Sequence, residues 1–161
     1  LVHETAELEQ RVRQPVAYRR TTVKLENLAQ VQAKSLHEVW RAIEKRGLEP
    51  AGPPYVRYHT FGEVETDLEV GIPVREPGSG EPPVTAGDLP GGPAVTTWHL
   101  GAHDGLAAAY GRLQAWMEEN HRDAGGAAWE VYWWVDPNIE PDPSTWPNPT
   151  EWQTELVQPI I

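Results

Sequence analysis

The chain has no cysteine. That excludes disulfides, thiolate metal sites and a cysteine nucleophile, and it leaves a cytoplasmic location as the default expectation. Cations are scarce: 13 Lys and Arg stand against 24 Asp and Glu, a formal net charge of −11. Phosphate recognition needs clustered cations, so no direct nucleic-acid partner is expected. Arg11, Arg13, Arg19 and Arg20 read as decoration of a strand. No apolar run approaches the roughly 18 residues that cross a membrane, so no membrane partner is expected. The opening LVHETAELEQ is polar and acidic and does not read as a secretory signal. No helix–turn–helix fits these residues, which gives the expectation of a stand-alone domain. There is no GxSxG elbow, and LPGGP and PGSG lack the strand, helix and Lys of a phosphate loop. His99 and His103 straddle a Gly turn with no third ligand at metal spacing, so neither metal nor cofactor is expected.

What the chain does hold is tryptophan, 8 in all, three of them in AAWEVYWWVDP at 127–137. As a strand this segment alternates. Glu130, Tyr132 and Trp134 fall on one face, and Trp129, Val131 and Trp133 on the other. An acid that shares a face with an indole and a phenol is either rim decoration, paired with an arginine such as Arg57, or the polar centre of an aromatic pocket.

An internal repeat organises the rest. EPAGPPYVRY at 49–58 aligns with DAGGAAWEVY at 123–132, which sets Tyr55 on Trp129, Val56 on Glu130 and Tyr58 on Tyr132. Each copy is followed by a second apolar strand, DLEVGIPV at 67–74 and QTELVQPI at 153–160. Each is preceded by a strand candidate, 16–23 or 94–101, and a helical pattern. Leu28, Val31, Leu36, Val39, Trp40 and Ile43 carry the first helix, which Gly47 stops. Leu106, Tyr110, Leu113, Trp116 and Met117 carry the second. Trp40 and Trp116 read as core anchors, and His37 and Glu38 as solvated surface.

The expected fold is therefore α+β, a tandem β-α-β-β repeat with pseudo-two-fold symmetry in a single domain over 1–161. The half-repeats are about 12–74 and 93–161. The linker 75–92, REPGSGEPPVTAGDLPGG, reads as a loop. No half can bury its sheet face alone. Pairing them gives one antiparallel sheet with two helices on one face and a ligand groove on the other. On DLEVGIPV, Leu68, Val70 and Ile72 are expected under the helices, with Asp67, Glu69 and Gly71 facing the groove. Leu156 likewise falls on the helix side, with Glu155 and Val157 opposite. A Pro- and Asp-rich insert, 137–152, is expected to lie over the groove. Its Trp146 and the following Trp152 either cap the groove or pin the loop.

The stretches AGPPYVRYH at 51–59, DLEVGIPV, HLGAHDGL at 99–106, LQAWMEEN at 113–120, WEVYWWVDP at 129–137 and WQTELVQPI at 152–160 together resemble the GyrI-like small-molecule-binding family. That family is also seen as the effector-binding domain of MerR- and AraC-type multidrug regulators. The resemblance implies a groove at the pseudo-dyad and a ligand-facing Glu in the WExY stretch, here Glu130 with Tyr132. The expected ligand-binding set is Glu130, Tyr132, Trp134, Tyr58, Trp98, Val56, Tyr110 and Glu155. The expected partner is a planar aromatic or cationic small molecule, bound by a monomer or weak dimer in a drug-resistance role. The sequence departs from the family turn GPYEGL, with His103 in place of the Tyr. A second reading, implied by stand-alone members of the family, is a hydrolase that opens the cyclopropane of DNA-alkylating natural products. Its substrate would stack between Trp98 and Trp134, Glu130 would activate water, and Tyr132 or Tyr58 would polarise the carbonyl.

Overall fold

The computed structural model describes residues 3–78, 80 and 82–161. Eight strands form one antiparallel sheet: β1 (Glu7–Arg11), β2 (Gln14–Lys24), β3 (Tyr55–Phe61), β4 (Glu65–Pro73), β5 (Thr85–Leu89), β6 (Gly92–Leu100), β7 (Trp129–Tyr132) and β8 (Gln153–Pro159). Helix α1 (Leu28–Arg46) follows β2, and α2 (Leu106–Glu119) follows β6. The order across the sheet is β1-β6-β8-β7-β3-β4-β2-β5. It reads the same from either end when the halves are exchanged, as the repeat requires.

The helices form where the apolar spacing placed them. Leu36, Val39 and Ile43 are the buried apolar stripe of α1, and Ala109, Leu113 and Met117 that of α2. Gly47 ends α1 in the left-handed conformation (φ 66°), where a side chain would be strained. Below α1 lie Val56, Leu68, Val70 and Ile72, and below α2 lie Val95, Leu156 and Ile160. Trp40 and Trp116 pack half-buried against these two clusters.

Two parts of the architecture differ from the sequence expectation. The linker 75–92 is not a loop throughout: Thr85–Leu89 pairs with β2, and β6 already begins at Gly92. Ser79 and Glu81 of that linker lie outside the described residues. The second difference is β1, which pairs with β6. These outer strands answer each other, since each precedes the first strand of its own half and pairs with that of the other half. The exchange covers the outer edges of β2 and β6, which a sheet of two three-stranded halves leaves open. Polar, Gly-containing strands such as TAGDL carry no alternation to announce them.

The face away from the helices has its own core. Tyr55, Trp129, Val131 and Val157 cluster there with Val16, Leu89 and Ala94, so the sheet curls toward this side. Cross-strand registers define the two faces. Val70, Val56, Glu130, Leu156 and Thr97 form one row, on the helix side. Gly71, Tyr55, Val131, Glu155 and Trp98 form the adjacent row, on the other side. Among the described residues no helix is long and apolar enough to cross a membrane.

Candidate functional site

Glu130 sits mid-strand on β7, flanked by Val56 and Leu156 on the helix side of the sheet. It is 4% exposed. Burying a carboxylate among apolar groups is costly unless its oxygens are satisfied. Here both are: Tyr110 of α2 donates to Oε2 at 2.5 Å, and Tyr132 donates to Oε1 at 2.9 Å. Burial pushes the Glu130 carboxyl above its ordinary range, and the two phenol hydrogen bonds pull it back part of the way. The phenols respond in kind. Tyr110, Tyr132 and Tyr58 are held above the ordinary phenol range, first by burial and then by the charge of Glu130. Tyr58 in turn accepts from Gln32 Nε2 of α1 at 2.7 Å. One acid and three phenols thus form a polar centre between the helices, with Tyr110 and Tyr132 donating to the acid.

Beside this centre lies an aromatic cleft of about 260 Å³. Its floor is Val56, Val70 and Tyr132; one wall is the α1 face of Ala29, Gln32, Ala33 and Leu36. The other wall is His103, Trp134, Trp146 and Trp152. Trp134 and Trp152 stack in parallel, with centroids 3.9 Å apart at 5°. Trp146 meets Trp134 edge-on at 5.1 Å, and His103 lies 5.2 Å from Tyr132 and 5.1 Å from Trp152. The His103 Nε2 is 3.0 Å from the Thr154 hydroxyl. Burial, then the neighbouring charge of His99, holds His103 below the ordinary histidine range.

Local chemistry shapes the insert that supplies these indoles. Asp142 and Asn148 each precede a Pro and accept a hydrogen bond from the backbone N–H two residues on, Ser144 and Thr150, so each starts a short helical turn. Trp152 Nε1 donates to the Pro147 carbonyl at 3.0 Å. Glu140 reaches back to His37 of α1 at 2.7 Å and ties the insert across the cleft. His37 and Glu38 are thus more than solvated surface, since Glu38 also pairs with Arg19 of β2.

The structure brings together Glu130, Tyr132, Tyr58, Val56 and Tyr110, with Trp134 adjoining through Tyr132 at 5.4 Å. It does not bring Trp98 and Glu155 to them. These two lie on the opposite face, where Trp98 meets Trp133 at 5.8 Å and Trp133 Nε1 donates to Glu155 at 3.2 Å. The expected placing of Glu130 in a groove away from the helices is therefore corrected. A groove exists on that side, but Glu130 shares its row with Val56 and Leu156, which lie under the helices. For the same reason Trp98 and Trp134 do not form a sandwich. Nor does Arg57 pair with Glu130: its Nε donates to the Ala127 carbonyl, and its guanidinium lies 5.4 Å over Trp129. His99 bonds the Ala102 carbonyl and His103 bonds the Thr154 hydroxyl, so the two histidines have separate partners. No cluster of three or more potential metal ligands occurs among the described residues. The α1 wall of Ala29, Gln32 and Ala33 was not foreseen, because small residues on a helix read as surface.

A curled antiparallel sheet with two helices on one side, and an aromatic cleft between the first helix and the insert, is the architecture of a small-molecule-binding domain. The profile of the GyrI-like small molecule binding domain matches residues 7–161, and the chain belongs to that family. Among solved structures, the EcmrR C-terminal domain is similar over 98% of each chain, with a TM-score of 0.79 and 22% identity. In the EcmrR–DNA complex the match has the same TM-score and 24% identity, and it spans 97% of this chain but 57% of that one. SAV2435 bound to tetraphenylphosphonium matches over 97% of this chain and 93% of its own, with a TM-score of 0.63 and 11% identity. A hydrolase from Listeria innocua matches over 100% and 94%, with a TM-score of 0.66 and 12% identity. No curated protein sequence matches the chain.

Proposed function

We propose that this domain binds planar or cationic aromatic molecules in the cleft between α1, β7 and the insert. The observation that carries this reading is the group of rings there: Tyr132, His103, Trp134, Trp146 and Trp152 surround one cavity. Ring faces attract cations and stack on flat molecules, each well-placed pair contributing about 0.5–1.5 kcal/mol beyond its buried area. The buried charge of Glu130, one phenol away, favours a positive ligand, as does the net charge of −11. A distant structural relative binds tetraphenylphosphonium, a compact aromatic cation of this kind.

Binding is favoured over cyclopropane hydrolysis by the state of Glu130. Both of its oxygens are engaged by phenols, and it is not among the described residues that line the cavity. A general base needs a water within reach. Titration with tetraphenylphosphonium, followed by calorimetry, tests the binding reading. Saturable binding weakened at least about tenfold by Trp152→Ala and by Trp146→Ala is expected, the loss of one or two ring contacts. Absence of binding, or affinity unchanged in both variants, overturns it. Turnover of a cyclopropane-bearing alkylator that is lost in Glu130→Gln would establish the hydrolase instead.

A further inference from the structure

The face turned away from both helices holds a second cavity, about 370 Å³, within the range of roughly 300–1,000 Å³ common for small-molecule sites. Trp129, Val131, Trp133 and Glu155 line it, together with Arg11 of β1 and Leu89 of β5. None of these belongs to the cleft described above.

The pseudo-symmetry supplies an internal comparison. Glu69 on β4 and Glu155 on β8 occupy equivalent places, and both are buried at 5% and 6% exposure. His59 and Trp133 are equivalent, and each bonds the acid of its own half: His59 Nε2 lies 2.7 Å from Glu69, and Trp133 Nε1 lies 3.2 Å from Glu155. Tyr55 and Trp129 are equivalent as well, but here the halves part. The Tyr55 hydroxyl donates to Glu69. The indole N–H of Trp129, a residue 2% exposed, has no hydrogen-bond partner among the described residues.

The first half is therefore complete and the second is open. Glu155 receives its bonds from Trp133 and from Arg11 Nη1, both at 3.2 Å. Charge-assisted N–H···O bonds are ordinarily about 2.7–2.9 Å, and a carboxylate offers about four acceptor positions. Arg11 also divides its Nη1 with Glu9, at 3.0 Å. Among the described lining residues, two acids thus face one base.

We infer that this cavity is a second ligand site, for a small apolar molecule that carries a protonated primary or secondary amine. The amine N–H groups give Glu155 the donor that Tyr55 gives Glu69 in the other half, and the apolar body lies on Trp133, which is 51% exposed, and on Leu89. A quaternary cation supplies the charge without the N–H donors, so the chemistry here differs from that of the ring-lined cleft.

The indole N–H signals of the eight tryptophans, assigned by single Trp→Phe changes, report the two sites separately. The full chain, saturated with tetraphenylphosphonium, is titrated with phenylalaninamide and with its N,N,N-trimethyl form. Saturable shifts of the Trp129 and Trp133 signals by the primary amine are expected. The trimethyl form and Glu155→Gln should each weaken that binding at least about tenfold, the loss of a hydrogen bond to a charged group. Trp152→Ala should leave it unchanged. Should Glu155→Gln fail to fold, Leu89→Trp fills the cavity from β5 and is expected to abolish the same shifts. No saturable shift of these two signals up to about 10 mM, equal binding of both forms, or sensitivity to Trp152→Ala but not to Glu155→Gln overturns the site. Failure of tetraphenylphosphonium to bind bears on the helix-side cleft alone.

Discussion

Val56 and Glu130 stand directly opposite each other where β3 pairs with β7. They are also the two residues that the sequence repeat sets equal. The axis relating the halves therefore passes through this pair, the place where the molecule meets its own copy. Opposed side chains in an antiparallel pair have Cβ atoms about 4.5–5.5 Å apart, so two carboxylates here would repel. Valine on one side lets a single acid occupy the centre, with a phenol from α2 and another from its own strand to satisfy it.

Val56→Glu tests this geometry. A second acid at the axis would be buried beside a like charge, with Tyr58, the counterpart of Tyr132, as its phenol donor. The variant should lose at least about 3 kcal/mol of unfolding free energy at pH 8, where both acids prefer charge. The loss should shrink by pH 4 to 5, where one acid takes a proton. Urea denaturation at the two pH values measures it, and a loss that ignores pH would contradict the shared site.

Glu130→Gln makes the complementary prediction. The folded protein raises the Glu130 pKa above its reference of 4.5. The folded state then holds this proton more tightly than the unfolded state. The associated stability is fully present below about 4.5 and is lost as pH rises through the folded value. Glutamine removes the titration. The Tm difference between variant and parent should therefore move in the variant's favour from pH 4.5 upward, in a thermal series across pH 4 to 8. A difference constant over that range would show that Glu130 does not titrate as its burial requires.

Much of this was written in the sequence, and the parts that were not have physical reasons. The repeat identified Val56 and Glu130 as partners, and alternation correctly put Trp134 with Tyr132 and Trp133 opposite. What alternation cannot supply is an absolute face. It sorted 129–134 into two sets without saying which set met the helices, and so Glu130 was joined to Trp98 and Glu155. The resolving signal was available in the repeat itself, because Val56, an apolar residue, argues for the core side. β1 and β5 were invisible for another reason. Edge strands bury little, so their residues carry no hydrophobic period. The insert's role was half legible: its Asp-Pro and Asn-Pro turns were turn signals, but only folding shows Trp152 stacked on Trp134.

Gly71→Ala should be costly although the residue sits in a strand. A Cβ there would lie 2.6 Å from the Tyr55 ring and hydroxyl, which cross over β4 to reach Glu69. Overpacking of this kind costs about 1–3 kcal/mol. Tyr55→Leu removes the obstructing ring, so Gly71→Ala should cost measurably less in that background than in the parent. Denaturant titration of the four proteins gives the coupling, and strict additivity would show that the ring does not depend on the glycine.

His103 gives the molecule a pH response of the opposite sign to that of Glu130. Its ring borders the aromatic cleft and bonds Thr154, and burial holds it below the reference of 6.5. The unfolded chain then binds this proton more readily than the folded one. Stability from the neutral ring is present above about 6.5 and is lost as pH falls through the folded value. His103→Phe keeps an aromatic ring between Tyr132 and Trp152 but cannot titrate. Its Tm should fall less than the parent's between pH 7 and pH 5. The same protonation places a positive charge at the cleft, so affinity for tetraphenylphosphonium should drop over this interval more steeply in the parent than in His103→Phe, where of these two groups only Glu130 still titrates. Two affinity profiles of equal slope would remove His103 from the ligand's surroundings. A parent Tm that falls no faster than the variant's would show that the folded protein accepts the charged ring.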